Sequence, residues 1–361
     1  MLDVVTIGTA TRDVFLESPF FRVVRDPAHL EKLGFPTGEA QCFALGGKLD
    51  VNGFTAAAGG GAANTAVTFA RQGFRTATIV KVGQDADGRA VQAHLKQAGI
   101  RLANLGDPFK QTAYSVILLS PGGERTILNY RGASEDLTLR DVPLSKLKCR
   151  WAYIVPGRIA WPVMHRVITG LKRRGTKIAM NPSRRYLELG TKKLRPLLNL
   201  LDVVILNREE AALLTGCRYE DEHAIFRRFD DWVPGLAVMT EGSRGVLVSD
   251  GRYIYRAGVF REKRVADRTG AGDAFGSGFV SGLIRREGQG SRLRQATDGQ
   301  ARVKGQGYSP EVIQYAIRLG AANATSVVEK VGAETGILTR KEFETARRWR
   351  DLRVRQVVLR P

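Results

Sequence analysis

Residues Arg268–Phe279 read RTGAGDAFGSGF, with glycines at 270 and 272, an aspartate at 273, and then an apolar stretch of helical character. Glycine lets a backbone approach a ligand closely and take turns that side chains forbid, while a helix start presents unpaired N–H groups at the positive end of its dipole. Together these make an anion cradle, with the Asp273 carboxylate at its mouth. An acid aimed at a bound anion is out of place unless chemistry needs it. Taken alone, the segment is also readable as a tight turn in which Asp273 caps the helix. The choice between the two depends on what surrounds it.

Short apolar runs recur along the chain: Asp3–Gly8 (DVVTIG), Ala77–Val82 (ATIVKV), Trp151–Val155 (WAYIV), Lys177–Asn181 (KIAMN), Asp202–Asn207 (DVVILN) and Leu236–Thr240 (LAVMT). Most are separated by segments with helical periodicity, such as Ala62–Phe74, Gly88–Ile100 and Pro162–Gly175. The alternation reads as βαβ. Runs rich in Val, Ile and Leu suit parallel strands buried on both faces, so the expected fold is α/β, a doubly wound, mostly parallel sheet flanked by helices. Ligands are then expected outside the carboxyl ends of the strands.

Three regions break the rhythm. Between Asp13 and Gly59 no core helix and strand can be picked out, and Thr112–Tyr130 (TAYSVILLSPGGERTILNY) reads as a hairpin with a Pro-Gly-Gly turn. Residues 14–58 and 112–130 are therefore expected to form a small β-lid outside the main sheet. Glu287–Gly307 is polar, glycine-rich and basic, and is expected to be a flexible insertion. The whole of residues 1–361 is read as one domain built on one main core.

The composition, 43% hydrophobic and 25% charged, is that of a folded globular chain and excludes disordered and collagen-like classes. No signal-like start and no run long and apolar enough to span a bilayer is found. The three cysteines form no C-x-x-C pair and the four histidines lack ligand spacing, so a reduced, cytoplasmic protein is expected. The net charge of +20, with basic runs at Leu171–Lys177 and Arg347–Arg360, raises nucleic acid as a partner. Those runs match no nucleic-acid module, so a solvated basic surface is the preferred reading, one that would also draw in phosphorylated substrates.

No glycine is followed by Lys and then Ser or Thr, which excludes a Walker-type phosphate loop, and the first strand ends in GTATRD rather than a dinucleotide fingerprint. Two glycine-rich segments remain, Gly59–Asn64 (GGGAAN) and Asp267–Asp273 (DRTGAGD), each leading into a helix-like run.

With the order of its motifs, the chain resembles the ribokinase-like (PfkB) family of carbohydrate kinases. The resemblance runs from Val4 to about Leu338. It rests on the opening strand with Gly8 and Asp13, on Gly59, Gly60 and Asn64, and on Val82–Gly88 (VGQDADG). It continues through Asn207 with Glu210, Thr240–Gly245 (TEGSRG), DRTGAGD, and Val331–Ala333 (VGA). It implies a ribokinase-like fold with a small β-lid, and an ATP-dependent kinase phosphorylating a hydroxyl of a sugar or sugar-like substrate. In that reading Asp273 is the general base and the amides of Gly270, Ala271 and Gly272 form the anion hole. Asp13, Gly60 and Asn64 hold substrate hydroxyls, and Arg131 lies where it could meet an acidic substrate, the alternative being an exposed hairpin arginine. Asn207, Glu210, Thr240, Gly242 and Gly245 serve the nucleotide. Glu210 places Mg²⁺, through water, whereas Glu209 reads as a surface residue. Asp267 is the candidate for a monovalent cation such as K⁺, although Arg268 after it departs from the family pattern. Thr11 departs too, at a position where many ribokinases and fructokinases carry Asn.

The resemblance leaves a nucleoside kinase of the adenosine kinase type as the alternative, since it shares the loop and base. A catalytically silent binding protein on the same fold is the alternative from another class. A homodimer formed through the lid is also expected.

Overall fold

The computed structural model describes residues 1–35, 38–103, 105–120, 125–287 and 308–359. In chain order the strands are β1 (Leu2–Gly8), β2 (Thr11–Glu17), β3 (Val23–Arg25), β4 (Glu39–Gln41), β5 (Gly53–Gly59), β6 (Thr76–Ile79), β7 (Lys81–Gly83), β8 (Arg101–Leu102) and β9 (Leu105–Asp107). They continue with β10 (Ala113–Leu119), β11 (Arg125–Tyr130), β12 (Cys149–Val155), β13 (Lys177–Met180), β14 (Val203–Asn207), β15 (Leu236–Thr240), β16 (Val246–Ser249), β17 (Tyr253–Ala257) and β18 (Val354–Val358). The helices are α1 (Pro27–Leu30), α2 (Gly61–Arg71), α3 (Ala86–Gln97), α4 (Trp161–Lys172), α5 (Arg184–Leu187), α6 (Thr191–Leu198), α7 (Arg208–Thr215), α8 (Glu222–Trp232), α9 (Ala271–Arg286), α10 (Pro310–Val328) and α11 (Arg340–Thr345).

Ten strands form the main sheet in the order β18-β17-β16-β15-β14-β13-β12-β1-β6-β8. All pairs from β15 through β1 to β8 are parallel, and β16, β17 and β18 extend the sheet antiparallel. The apolar runs become parallel strands because alternate residues meet helices on opposite faces. Ile7, Ile154, Leu206 and Met239 join Met164 of α4 and Phe226 of α8 on one side. Val4, Tyr153, Ile205 and Val238 join Phe279 of α9 and Ile317 of α10 on the other. The chain leaves β1 for β6 and β8 on one flank and returns to β12 on the other. This reversal of strand order opens a crevice at the carboxyl ends of β1 and β12.

Two of the three segments that break the rhythm contribute to a separate four-stranded sheet, ordered β11-β10-β2-β5. In it β2 runs parallel to β10 and antiparallel to β5, and β10 pairs antiparallel with β11. The Pro-Gly-Gly turn read between β10 and β11 lies outside the described residues. The inner face of this sheet is short and apolar, with Phe15, Ile117 and Leu119 buried together. The basic tail, read from sequence only as surface, supplies β18 at the edge of the main sheet.

The expected insertion at 287–307 lies outside the described residues except for Glu287. That residue caps α9 and pairs with Arg150 and Lys177, each at 2.6 Å, so it belongs to the framework rather than to a loop.

Helices α9 and α10 cross at a seam of small residues. A Cβ on Gly278 would stand 3.0 Å from Gly320 Cα, and one on Gly282 would stand 2.5 Å from Ala316 Cα. Gly282→Ala gains up to about 1 kcal/mol of helix propensity, but it drives a methyl into backbone that cannot step aside, at a cost of about 1–3 kcal/mol. We expect a net loss of stability, read as a lower denaturant midpoint at unchanged m-value. An unchanged or higher midpoint would show that the seam has slack.

Candidate active site

At the end of β1 the chain bends through Thr9 and Ala10 into β2, which carries Asp13 into the second sheet. The same bend supports the start of α2. The Ala62 N–H donates to the Thr9 carbonyl at 3.1 Å and the Gly61 N–H to Thr9 Oγ1 at 3.3 Å. Gly60, at φ +93°, has its missing side chain against Thr9 and Ala10, where a Cβ would come within 2.7 Å of backbone. Glycine is required there both by conformation and by space.

One turn into α2, the Asn64 Nδ2 donates to Asp273 Oδ2 at 2.9 Å, joining residues 209 apart in the chain. Asn64 is 5% exposed, and its Oδ1 is buried with no hydrogen-bond partner among the described residues. A buried amide oxygen left open beside a carboxylate is a place for a hydroxyl donor. Asp13 lies in the same neighbourhood. The Thr11 hydroxyl donates to its Oδ1 at 2.6 Å, and Ser115 stands opposite it across the β2–β10 pairing. A Cβ on Gly59 would reach 1.9 Å from Asp13 Oδ2, so glycine keeps the room in which that carboxylate sits.

Helix α9 starts at Gly270, which takes φ +77° and has no space for a side chain, since a Cβ would lie 2.4 Å from that of Ala333. The first helical hydrogen bond is donated by Ala274 to the Gly270 carbonyl at 2.8 Å. The Ala271 N–H reaches the Arg268 carbonyl only at 3.4 Å. The amides of Ala271 and Gly272 therefore remain available at the positive end of a sixteen-residue helix. Gly272 is exposed, and nothing lies within 4 Å of its Cβ position, leaving open space for a ligand. Asp267 stiffens this turn. Its Oδ1 accepts from the Thr269 N–H and hydroxyl at 2.9 and 2.7 Å, and its Oδ2 accepts from the Gly332 N–H at 3.1 Å.

Carboxylates crowd this crevice. Burial raises the pKa of Asp273, with the Asn64 hydrogen bond opposing it and the negative charges of Asp13 and Glu334 adding to it. Burial likewise raises Asp13, against the Thr11 and Ser115 hydroxyls. Glu334 is raised by burial and opposed by His94, with which it shares a short hydrogen bond. Neither Ser115 nor the His94–Glu334 pair is legible from sequence, because non-local pairing alone brings them to the site.

Further along the sheet, Asn207 and Thr240 are register partners at the ends of β14 and β15. Three strand spacings separate β14 from β1, roughly 14 Å. The N-x-x-E spacing proves to be a capping box. Glu210 N–H donates to Asn207 Oδ1 at 2.8 Å, and Asn207 N–H to Glu210 Oε2 at 2.9 Å. The second oxygen of Glu210, Oε1, has no partner among the described residues, and burial raises that group's pKa. Gly242 (φ +59°) and Gly245 (φ +104°) shape the turn after β15. A Cβ on Gly245 would strike the Ala257 carbonyl at 2.0 Å, whereas the space at Gly242 is open. Arg131 is exposed at the head of the turn Gly132–Glu135, with Nε 4.0 Å from Glu135. No helix among the described residues is long and apolar enough to cross a membrane.

A doubly wound sheet, a smaller sheet beside its switch point, and a glycine-started helix carrying a held carboxylate together define an α/β phosphotransferase that acts on an alcohol group. The chain belongs to the pfkB family of carbohydrate kinases, whose profile matches residues 37–340. It is 27% identical to a ribokinase of Haemophilus influenzae over 308 residues, 82% of this chain and 89% of that protein. In fold it is similar to a ribokinase of Giardia lamblia, with a TM-score of 0.75 at 19% identity, covering 95% of this chain and 99% of that one. An adenosine kinase of Sinorhizobium meliloti superposes with a TM-score of 0.69 at 23% identity, covering 92% and 95%. The chain is thus a kinase of the sugar and nucleoside class.

The raised pKa of Asp273 fixes the sign of its effect on stability. A carboxyl whose folded pKa lies above its unfolded value favours folding while protonated, and that contribution is lost as pH rises from the ordinary carboxylate range through the folded value. At neutral pH the ionised group therefore costs stability. Asp273→Asn can still accept from Asn64, so we expect its melting temperature at pH 7.5 to rise by roughly 1–3 °C, with the gain shrinking as pH falls through the raised folded value toward the ordinary carboxylate range. A lowered melting temperature at pH 7.5 would mean that the carboxylate is a net stabiliser.

Proposed function

We propose that the protein transfers the γ-phosphoryl group of ATP to a hydroxyl of a sugar or sugar-like substrate, with Asp273 as general base. The observation that carries this reading is the Asn64–Asp273 hydrogen bond, which holds a carboxylate at the open head of α9. The substrate hydroxyl gives its proton to Asp273 as its oxygen bonds to the γ-phosphorus. The bond from that phosphorus to the bridging oxygen breaks, and ADP leaves. Phosphoryl transfer through a loose transition state needs positioning and charge neutralisation more than a strong base. The amides of Gly270, Ala271 and Gly272 would receive the charge on the transferring group. Asp13, Gly60 and the open Asn64 Oδ1 would hold substrate hydroxyls.

The nucleotide would extend along the carboxyl ends of the sheet toward Asn207, Thr240, Gly242 and Gly245. The open oxygen of Glu210 fits a water-mediated Mg²⁺ site, because Mg²⁺ keeps much of its hydration and binds few carboxylates directly. The ion would neutralise phosphate charge. Asp267 braces the loop, with both oxygens accepting hydrogen bonds, and is the candidate for a monovalent cation such as K⁺ that would order the α9 amides. The sheet β11-β10-β2-β5 would act as a lid that keeps water from the γ-phosphate. Strand β11 is an exposed edge carrying Leu128 and Tyr130, and Phe54 on β5 is 68% exposed, which supports pairing of the lid with a second copy.

Asp273→Asn should lower turnover by a factor on the order of 10² to 10⁴, the usual contribution of a positioned acid–base group, with ATP affinity little changed. Near-normal turnover in the folded variant would reduce Asp273 to a helix cap and overturn the mechanism. The ionised base is lost as pH falls through its raised pKa. The acid limb of kcat/KM should therefore lie above the ordinary carboxylate range. Light scattering of the full chain should give twice the monomer mass, and a monomer would overturn the lid-mediated dimer.

A further inference from the structure

We infer, building on the kinase reading, that Glu334, tied to His94 of α3, is a positioning residue for phosphoryl transfer. The pair seats the turn at residues 331–335 against the head of α9, and so holds the loop amides and Asp273 in their working arrangement.

The turn lies between α10 and α11 and presses on the α9 loop at successive residues. The Gly332 N–H donates to Asp267 Oδ2 at 3.1 Å. Ala333 occupies the space beside Gly270, where a Cβ would lie 2.4 Å from the Ala333 methyl and 2.7 Å from its Cα. Gly270 starts α9, and Asp273 stands in the first turn of that helix. In packing this close a displaced Ala333 either drags Gly270 with it or leaves a gap beneath it. Glu334 is the next residue, and its Oε2 shares a short hydrogen bond with His94 Nε2, a partner 240 positions away in the chain. The ion pair therefore anchors to α3 the same turn that supports the start of α9.

Stability alone does not call for an acid at this place. Apolar residues of similar size often replace a buried ion pair at no loss, whereas removing one partner strands a buried charge. Glu334 is 9% exposed, and its Oε1 is buried without a hydrogen-bond partner among the described residues, so its charge balance rests on His94. Burial raises the pKa of Glu334 and His94 opposes it, while Asp13 adds to the rise and Arg71 counters it. His94 sits in the last turn of α3, where the negative end of the helix dipole favours a cation. The Glu334 hydrogen bond raises its pKa, against desolvation and the charge of Arg12. The pair borders a cavity of about 430 Å³ lined also by Ala57 of β5, Val67 and Arg71 of α2 and Gln97 of α3. His94 is 44% exposed at its side chain, so protons reach the pair from solvent. The charge of Glu334 is felt at the proposed base: burial is the main cause that raises Asp273, and Asp13 and Glu334 add to it.

The test is a pH series of steady-state kinetics on the full chain with Mg²⁺ and ATP. The acceptor is whichever of ribose, fructose, 2-keto-3-deoxygluconate and adenosine the parent turns over fastest. Glu334→Gln keeps the size of the side chain and an acceptor for His94. We expect it to lower kcat on the plateau by about five- to fiftyfold, the scale on which small displacements of reacting groups act, with KM for ATP within about twofold of the parent. With a negative charge removed near Asp273, the acid limb of kcat/KM should also move to lower pH. His94→Gln, at a half-exposed position, should lower kcat in the same range. The double variant should be no slower than the slower single one, because the two residues act as a unit. A pure packing role would lower the melting temperature and leave the acid limb where it is. An unmoved acid limb, or losses that multiply in the double variant, overturns the inference and leaves the kinase reading standing. Should Glu334→Gln not fold, His94→Gln decides alone, and a kcat within about twofold of the parent overturns the inference. No transfer to any of the four acceptors by the parent overturns both.

Discussion

The hydrogen bond from Asn64 to Asp273 is the contact on which the site depends, because it joins two helix starts that the chain builds independently. Helix α2 begins at Gly60 and α9 at Gly270, each at a residue whose φ is positive and whose Cβ position is occupied by a neighbour. Neither backbone could come so close with a side chain in place. Their convergence brings both helix starts to the crevice where the strand order reverses. The small-residue seam between α9 and α10 carries the same constraint further from the site. Residues 278 and 282 are glycine so that α9 can lie flat on its neighbour and keep its first turn where Asn64 can reach it.

Held this way, the carboxylate is set against the stability of the fold. Asp13, Asp273 and Glu334 each feel desolvation, and Asp273 and Glu334 repel other members of the group. Donors offset part of this: Thr11 and Ser115 at Asp13, Asn64 at Asp273 and His94 at Glu334. The remainder is a negative field at the head of α9. In the proposed reaction such a field would favour a base that accepts a proton and would repel a bare nucleotide. Positive charge would then come from outside the carboxylate group, through the partial charges of the α9 amides and a metal near Glu210. The division of charge across the crevice is thus a consequence of burying an acid at a helix start.

Most of the fold was legible in the sequence because its physics is local. Parallel strands buried on both faces must be apolar throughout, and Val203–Leu206 or Leu236–Met239 can hardly be read otherwise. The antiparallel extension was not legible. Strand β18 draws on a basic tail, Val354–Val358, whose residues are exposed or half-exposed, so burial left no periodic mark on it. The glycine segments were legible as cradles because conformation demands glycine. Ser115 and Glu334 were not, since each reaches the site through pairing between segments distant in sequence. Glu287 resembles its polar neighbours in sequence, and only its ion pairs to Arg150 and Lys177 set it apart from the segment it was read with.

Asn207 and Glu210 show how one spacing can serve two ends. Three residues is the interval at which a side chain on an N-cap and one in the first turn satisfy each other's backbone, and any helix start may use it. A capping box consumes only one oxygen of the glutamate. The same reciprocal bonds that close the start of α7 restrain the glutamate just past the carboxyl end of β14. A glutamate so restrained loses little further side-chain freedom on binding a hydrated cation, whereas a free surface glutamate would lose most of its own. The structural and functional readings of this motif therefore do not compete: the cap is the means by which a half-buried carboxylate is presented in one orientation.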